Sequence, residues 1–386
     1  MNSRFDFSSI FGIEPIQHIL VVGSTGTGKT NDCKNLAYEA VKRGFSVIVI
    51  DPKGEYLDLA DVSSEICETT VFDFENEDKR FFWNPLQPPT GVNPDLWAKT
   101  FSDVFTRSYG LSEPSRRILY DSLVELYVRH GVYKGYNCNY PTIRELEDEI
   151  SRFKPRSRNE ENSKIALENR IHIVASGELG DSLSVPVGYT IEDFENRLVV
   201  IDLSSIPSVR DQRFIVEALV ASIWEYKKKA SNQSKFLLVL EEAHRYVPEE
   251  RPSIYRGDRT LVELAIAEGR TFGIYFVIAD QMPSLLSKYA LSNCGIKIVH
   301  RLESAEQIEV VTKSIGILEV DFNLMEELRS MKTGEALVVL PGIKDLVRRM
   351  SVKNMPIFSL NPSRDLRRSF KKSSRREFLG YAFPLV

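Results

Sequence analysis

A glycine-rich segment near the start of the chain has the residue types and spacing of a phosphate-binding loop. It directly follows the apolar run 19–22, and its glycines would let backbone N–H groups curl around a polyphosphate at the start of the next helix. Lys29 would reach the β- and γ-phosphates, and the Thr30 hydroxyl would hold Mg²⁺. An ordinary Gly/Thr-rich turn would need neither the strand before it nor the amphipathic segment after it. The sequence therefore predicts an ATP site on eight residues: Gly23, Ser24, Thr25, Gly26, Thr27, Gly28, Lys29 and Thr30.

Two adjacent acidic residues, Glu241 and Glu242, follow the apolar run 236–240. A carboxylate at the tip of a buried strand can approach Mg²⁺ directly or through water, and its neighbour can orient and activate the attacking water. We expect Glu241 to serve the metal and Glu242 to be the catalytic residue that serves the water. The alternative is a strand that simply ends in solvated acids.

A polar amide, Gln281, ends the next apolar run, which is 275–279. At the tip of a strand beside the acidic pair, this amide could hydrogen-bond the γ-phosphate or the lytic water. The alternative for Gln281 is a cap on the end of its strand. His244 could touch the same network, although a lone histidine more often has a structural role.

Six short apolar runs supply the elements that must position these residues. Several of them lack alternation of apolar and polar residues, which predicts strands buried on both faces of a mainly parallel sheet. Helical patterns such as 210–229 and 259–269 separate the runs, so the fold class is α/β. Segments 336–340 and 346–350 predict a closing hairpin. The six runs are 19–22, 47–50, 198–201, 236–240, 274–278 and 296–299.

The stretch 57–195 does not follow this alternation and predicts a mainly helical insertion. Asn93 before Pro94 predicts one helix start, Ser112 begins a helix that runs to Gly131, and Thr142 with Glu145 predicts a capping box. The polar segment 154–164 is expected to be mobile. The predicted organisation is a core of 1–56 and 196–351, this insertion, and a basic C-terminal segment, 352–386.

The composition is that of an ordinary globular protein, with 42% apolar and 27% charged residues among 386. No apolar run reaches the ~18 residues of a membrane span, and no signal peptide opens the chain. We therefore expect a cytoplasmic location without direct membrane insertion. Any membrane association would be through partners. Because the nucleotide site lies near the first residue, no large upstream domain is expected. The four cysteines form no C-x-x-C pair and predict reduced thiols. They are Cys33, Cys67, Cys138 and Cys294.

The net charge of −4 does not by itself indicate a nucleic-acid-binding protein. The charge is uneven, however, because residues 348–377 contain ten Lys and Arg against two acidic residues. This segment is either a contact for a polyanion or a solvated tail. Segments 154–158 and 227–229 are further basic candidates, but such segments are more often solvated helix ends or loops. Aromatic residues do not interleave with the basic ones, so base stacking is not indicated.

Three further segments, in order and at these spacings, carry a family resemblance. They read Asp-Pro-Lys-Gly-Glu-Tyr at 51–56, Glu-Glu-Ala-His-Arg-Tyr-Val-Pro at 241–248, and Ala-Glu-Gly-Arg-Thr-Phe-Gly at 267–273. With the phosphate loop, the set resembles the HerA/FtsK superfamily of DNA-pumping P-loop ATPases, especially the HerA-like branch and its relatives in conjugation and DNA transfer. The resemblance covers most of residues 16–345.

This resemblance implies a RecA-like core that assembles into a homohexameric ring, with ATP between subunits and DNA threading the centre. Lys29 and Thr30 match the phosphate-loop lysine and hydroxyl, Glu242 the catalytic glutamate, and Gln281 the sensing amide. Arg270 matches an arginine that acts in trans on the neighbouring subunit's nucleotide, where a guanidinium would stabilise the phosphoryl transition state. The alternative for Arg270 is a cap on the carbonyls of its helix. Glu55 would contact the interface or the lytic water, or merely follow a turn.

Two departures from the family pattern stand out. HerA-like proteins often have an Arg-His pair before the first strand, and here the pair is Gln17-His18, so a second basic contact is absent or supplied elsewhere. They also usually carry an N-terminal β-barrel that helps ring assembly. We therefore expect that assembly needs a partner or that this chain is the ATPase part of a longer polypeptide.

The function that the sequence favours is a hexameric motor that couples ATP hydrolysis to DNA translocation through a pore. An alternative is a nucleotide-dependent assembly or scaffold ATPase for a nuclease or for a secretion or conjugation channel, without translocation of its own. A protein-secretion ATPase is a third interpretation. The partners expected are DNA, further copies of the chain, and a nuclease or membrane DNA-transfer channel.

Overall fold

Ten strands form one sheet in the computed structural model, which describes residues 4–135, 139–230, 234–249, 259–316, 322–341 and 348–352. Across these residues the strand order is β1-β10-β9-β8-β2-β7-β6-β3-β5-β4. The strands are β1 (Arg4–Phe5), β2 (Ile19–Val22), β3 (Ser46–Asp51), β4 (Glu68–Phe72), β5 (Arg197–Asp202), β6 (Phe236–Leu240), β7 (Ile274–Asp280), β8 (Ile296–Val299), β9 (Glu335–Val339) and β10 (Arg348–Val352).

The central part of the sheet is parallel. Strands β8, β2, β7, β6, β3, β5 and β4 pair with their neighbours in the same direction, whereas β9 is antiparallel to both β8 and β10. All six apolar runs identified in the sequence are strands, and the α/β fold class is confirmed. A parallel sheet places the carboxyl ends of its strands along one side, which we call the carboxyl edge, and the amino ends along the opposite edge. Here the carboxyl edge carries the phosphate loop and the acidic pair.

Twelve helices of the described chain pack around this sheet and in the segment between β4 and β5. They are α1 (Lys29–Lys42), α2 (Leu57–Ser63), α3 (Pro94–Tyr109), α4 (Glu113–Arg129), α5 (Ile143–Arg152), α6 (Arg158–Ala175), α7 (Gly177–Leu183), α8 (Val209–Lys229), α9 (Leu261–Glu268), α10 (Lys288–Asn293), α11 (Ala305–Ser314) and α12 (Phe322–Ser330).

Both faces of the sheet are buried, which explains the missing alternation. Leu20 and Val22 of β2 join one apolar cluster, and Ile19 and Val21 join a second cluster on the opposite face. Successive residues of a strand point to opposite faces, so a strand covered on both sides must be apolar throughout.

The segment 57–195 is mainly helical, as expected, but it also contributes β4 to the sheet. This strand has no apolar signal in the sequence because Glu68–Phe72, the outermost strand at this end of the sheet, begins with three exposed or half-buried polar residues. The polar segment 154–164, expected to be mobile, includes the start of α6 at Arg158. The division of the chain into core and insertion remains a prediction.

The helix starts predicted in this segment agree with the structure. The side chains of Asn93 and Ser112 accept hydrogen bonds from the first turns of α3 and α4, and Thr142 with Glu145 forms a capping box at α5. Helix α4 ends at Arg129, slightly before the predicted Gly131.

The predicted hairpin is observed as the antiparallel pair β9 and β10. Its connecting residues 342–347, the basic segment from 353 to 386, and Cys138 lie outside the described residues. Within the described residues, Cys33, Cys67 and Cys294 are free thiols. No helix in the described ranges combines the length and apolar character needed to cross a membrane.

Candidate active site

The phosphate loop connects the end of β2 to the first residue of α1. Gly28 caps α1 with φ 119°, a backbone angle in the region that favours glycine. A Cβ on Gly23 would lie 2.5 Å from the Cβ of His300, so only glycine fits between the loop and the end of β8. The two glycines are therefore required by conformation and by close packing, respectively.

Hydrogen bonds hold the loop in a closed ring around the Lys29 side chain. Lys29 Nζ donates to the Ser24 carbonyl at 3.0 Å, and Thr27 Oγ1 donates to the same oxygen at 2.7 Å. From behind, the Gly334 N–H donates to the Thr27 carbonyl at 3.0 Å. Burial lowers the pKa of Lys29, and the charge of Glu241 acts in the opposite direction.

The geometry of the loop fits a polyphosphate. Lys29 is buried and takes part in none of the ion pairs found in the described ranges, since its partner is a neutral carbonyl. A cation held by a neutral group at a helix N-terminus is suited to an anionic ligand.

Oxygen ligands suitable for Mg²⁺ lie beside the loop. Thr30 Oγ1 donates a long hydrogen bond of 3.4 Å to Glu55 Oε2, and Glu241 at the tip of β6 is buried. Among the described residues, no group of three His, Cys, Asp or Glu side chains could hold a metal by itself. A Mg²⁺ ion at Thr30 and Glu241 would therefore take further ligands from phosphate and water, as is usual for this ion.

Glu241 is fixed by Tyr56, which the sequence analysis did not single out. The Tyr56 hydroxyl donates to Glu241 Oε1 at 2.6 Å, and both side chains are buried. Burial raises the pKa of Glu241, and the charge of Lys29 acts in the opposite direction. The arrangement orients one carboxylate oxygen and leaves the other for a metal or its water.

Glu242 lies next to Glu241 with a strained backbone. Its φ of 51° is in the left-handed region that residues with side chains rarely adopt, as is common at functional sites. Lys53 Nζ lies 2.5 Å from Glu242 Oε1, and Gln281 Nε2 donates to Glu242 Oε2 at 3.1 Å. The structure thus places a buried carboxylate between a cation and an amide.

Gln281 connects this carboxylate to the phosphate loop. Its carbonyl oxygen accepts a hydrogen bond of 2.8 Å from Thr25 Oγ1, while its amide group donates to Glu242. Strand β7 lies between β2 and β6 in the sheet, so its carboxyl end is between the loop and the acidic pair. The structure brings Gln281, Glu242 and the loop together, and the role of Gln281 at the γ-phosphate or the lytic water remains a prediction.

The conformation of the 51–56 segment is set by Asp51. This buried carboxylate accepts backbone hydrogen bonds of 2.9–3.1 Å from Lys53, Gly54 and Tyr56, and it thereby folds the segment over the site. Burial, and after it the charge of Asp202, raises the pKa of Asp51 to about 7. Glu55 was the functional candidate predicted in this segment, whereas Lys53 is the residue that reaches Glu242.

Two histidines near the site differ in role. His244 pairs with Asp280, through its backbone N–H at 2.7 Å and Nδ1 at 2.9 Å, and this hydrogen bonding raises the pKa of His244. His300, which the sequence did not flag, lies beneath the loop with Nε2 2.9 Å from Asp32 Oδ2. His244 Nδ1 also lies 3.8 Å from Glu242 Oε2, so His244 borders the acidic pair, whereas His300 contacts the carboxylate of α1 behind the loop.

Arg270 lies at the opposite edge of the sheet from its own phosphate loop. It precedes β7, and its Nη1 donates to Gln17 Oε1 at 2.6 Å, just before the start of β2. The seven residues of β7 at ~3.3 Å each separate it from the site by roughly 20 Å. The structure does not bring Arg270 together with the other predicted catalytic residues of the same chain.

Residues 16–223 match the family model described as the central domain of helicase HerA. The chain is 25% identical to a probable DNA double-strand break repair helicase HerA from Methanocaldococcus jannaschii, over 84% of this chain and 69% of that protein. It is 23% identical to the DNA double-strand break repair helicase HerA of Sulfolobus acidocaldarius, over 84% of this chain and 62% of that protein. The chain thus spans about two thirds of the length of these relatives.

Solved structures share the fold at lower identity. VirB4 of Thermoanaerobacter pseudethanolicus superposes with a TM-score of 0.65 and 18% identity, over 87% of this chain and 88% of VirB4. The bacterial conjugative coupling protein TrwB superposes with a TM-score of 0.62 and 15% identity, over 87% of this chain and 84% of the TrwB chain. These similarities support the fold found here.

Proposed function

The chain belongs to the HerA central-domain family of P-loop ATPases, and from this premise we propose that it is a hexameric motor that couples ATP hydrolysis to movement of DNA through a central pore. One observation carries the proposal. Glu242, Gln281 and the phosphate loop converge at one edge of the sheet, whereas Arg270 lies at the opposite edge. A head-to-tail ring would bring the Arg270 edge of one copy to the ATP of the next.

The residues at the loop edge account for hydrolysis. Lys29 would exchange its Ser24 carbonyl for phosphate oxygens. Glu242 would accept the proton of the attacking water, because its two oxygens offer about four acceptor positions and Lys53 and Gln281 occupy two of them. Thr30 and Glu241 would hold Mg²⁺, which would neutralise charge on the phosphate oxygens.

The residue at the opposite edge would complete the site. A guanidinium offers paired donors in a plane, which suit the charge spread over a transferring phosphoryl group. Arg270 would act on the neighbour's nucleotide, so that each site is shared between two subunits. Support for DNA as the substrate comes from relatives named as DNA double-strand break repair helicases and from the fold shared with a conjugative coupling protein.

ATPase assays with and without DNA test this function. We expect DNA to raise the wild-type rate, and Glu242→Gln to lower kcat at least about 100-fold while ATP binding persists. Glu113→Gln, which changes an exposed carboxylate on α4, is the matched control and should behave as wild type. A wild-type rate that no DNA changes would instead indicate a nucleotide-dependent scaffold for a nuclease or channel.

A further inference from the structure

A pocket of about 390 Å³ opens at the edge of the sheet that carries Arg270. It lies between the end of α8, the start of β6 and the turn after α9, and we call it the basic pocket. Its cationic lining residues are Lys227, Lys228, Lys235 and Arg270, and no acidic residue is part of its described lining.

Most of these cations have neutral partners. Arg270 donates to the Gln17 amide oxygen, Lys235 Nζ stands 5.6 Å above the centre of the Phe45 ring, and Lys227 donates to the Ser234 carbonyl at 2.7 Å. The ion pairs within the described ranges include neither Lys235 nor Arg270, whereas Lys228 pairs with the carboxylate of Glu225 and the negative charge of Glu195 acts on Lys227. Such a pocket favours an anion.

The geometry around Lys235 and Arg270 is rigid. The Phe236 N–H donates to the Gly273 carbonyl at 2.9 Å, which ties the start of β6 to the turn that carries Arg270. A Cβ on Gly273, whose φ is 75°, would lie 3.2 Å from the Ser234 carbonyl. Donors on a preformed frame lose little freedom when they bind a ligand.

Gln17 holds the guanidinium in place. Its Nε2 donates to the Pro15 carbonyl at 2.6 Å, which leaves its oxygen directed at Arg270. Gly295 packs against this amide so closely that a Cβ would lie 2.6 Å from Gln17 Oε1. The amide therefore orients Arg270 without neutralising its charge.

The two edges of the sheet are complementary in charge. The carboxyl edge carries Glu55, Glu241 and Glu242 beside Lys29 and Lys53 and would gain the negative charge of a bound triphosphate, whereas the opposite edge presents the basic pocket. A head-to-tail contact between copies would pair these edges, and a volume near 400 Å³ is in the range of small-molecule sites rather than of a channel for a duplex.

We propose that the basic pocket binds phosphate groups of the nucleoside triphosphate held by a second copy of this chain, with Lys235 as the second cation beside Arg270. This inference rests on the proposed function and extends it to a residue outside the family motifs identified above. Lys235 supplies a compact point charge, and Arg270 supplies the directed donors.

Steady-state kinetics of Lys235→Ala test the pocket. Loss of one charge-assisted contact of about 1.5 kcal/mol should lower kcat/KM for ATP about tenfold, and Lys235→Arg should restore most of it. Lys99→Ala, which removes an exposed lysine on α3, is the matched control. DNA affinity, measured in parallel, should not change.

Two results would overturn the inference. Kinetics of Lys235→Ala equal to those of Lys99→Ala would remove Lys235 from the ATP site. Weaker DNA binding with unchanged ATP kinetics would assign the pocket to nucleic-acid phosphates. The Arg270→Ala variant distinguishes failure of this inference from failure of the proposed function. Normal ATP hydrolysis by Arg270→Ala would contradict the proposed function. Impaired hydrolysis by Arg270→Ala together with normal kinetics of Lys235→Ala would contradict only the role of Lys235.

Discussion

Gln281 Nε2 lies 3.1 Å from Glu242 Oε2, and the carbonyl oxygen of the same amide lies 2.8 Å from Thr25 Oγ1. One side chain thus joins the carboxylate of β6 to the phosphate loop of β2 across the intervening β7. A change in the loop, such as the binding of a phosphate, would change the position of the Glu242 carboxylate through this amide.

Replacing Gln281 should slow the chemical step of ATP hydrolysis without weakening ATP binding. We expect Gln281→Ala to lower kcat for ATP about 10- to 100-fold with little change in ATP affinity, because Glu242 loses an orienting partner. The control is Gln307→Ala, which removes an amide that bonds Ser284 instead. Single-turnover hydrolysis and nucleotide binding measure the two effects. Unaltered single-turnover rates would mean that Gln281 only caps its strand.

The Tyr56 hydroxyl should set the affinity for Mg²⁺. Tyr56→Phe removes its 2.6 Å hydrogen bond to Glu241, and the loss of such a supporting bond typically weakens metal binding by about 10-fold or more. A Mg²⁺ titration of ATPase activity should show this shift in half-saturation. Tyr246→Phe is the control, since its buried hydroxyl has no hydrogen-bond partner within the described chain. Equal titrations for both variants would place the metal away from Glu241.

The buried pair of Lys34 and Asp58 should dominate stability near the site. Its atoms lie 2.7 Å apart, with 8% and 9% of the side chains exposed. Lys34→Met leaves a buried carboxylate uncompensated and should cost about 3–5 kcal/mol of unfolding free energy. Lys42→Met removes an exposed lysine from the half-buried Glu39, which keeps its contact with Arg43, and should cost less than ~1 kcal/mol. Urea denaturation compares them, and similar midpoints would contradict the prediction.

His18 should make the fold sensitive to acid. Burial, and after it the charge of Arg270, lowers the pKa of His18 to about 3 in the folded chain. The unfolded chain takes up a proton below its ordinary pKa of ~6.5, so folding stability falls as the pH drops from there towards 3. The loss through this one group is ~2 kcal/mol at pH 5.

The variant His18→Asn should reduce that pH dependence. An asparagine oxygen can still accept the Phe276 N–H, as His18 Nδ1 does at 3.1 Å, and it does not titrate. The difference in unfolding free energy between pH 7.5 and pH 5 should therefore be ~2 kcal/mol smaller than in wild type. His172→Asn, at an exposed position on α6, is the control. A difference as large as in wild type would show that His18 is not the group responsible.

Each element that sequence patterns predicted is marked by a pattern within a short stretch of the chain. The central strands are uniformly apolar, the phosphate loop has fixed spacing, and Gln281 follows a strand tip directly. Lys53 was missed because it contacts Glu242 across 189 residues of sequence, a pairing that only the folded sheet creates. Strand β4 was missed because its first residues are polar, and His300 because nothing around it distinguishes it from other histidines.

Arg270 was identified through family resemblance, and its position explains why local patterns could not find it. Within the described residues it lies apart from Glu242, Gln281 and the phosphate loop, and its partner Gln17 is distant in sequence. A residue that would act on a neighbouring copy need not lie near the catalytic groups of its own subunit. The role of Arg270 therefore has to be tested in the assembly.

Mixed rings of Lys29→Ala and Arg270→Ala subunits, co-expressed with different tags and purified through both, test shared hydrolysis most directly. Each variant alone should be nearly inactive. In the mixture, an intact phosphate loop on an Arg270→Ala subunit meets an intact Arg270 on a Lys29→Ala neighbour, so about one quarter of the sites in randomly mixed rings should be complete. ATPase activity well above the sum of the two variants is the predicted result. A rate equal to the weighted sum of the separate variants at every mixing ratio would contradict a site shared between subunits.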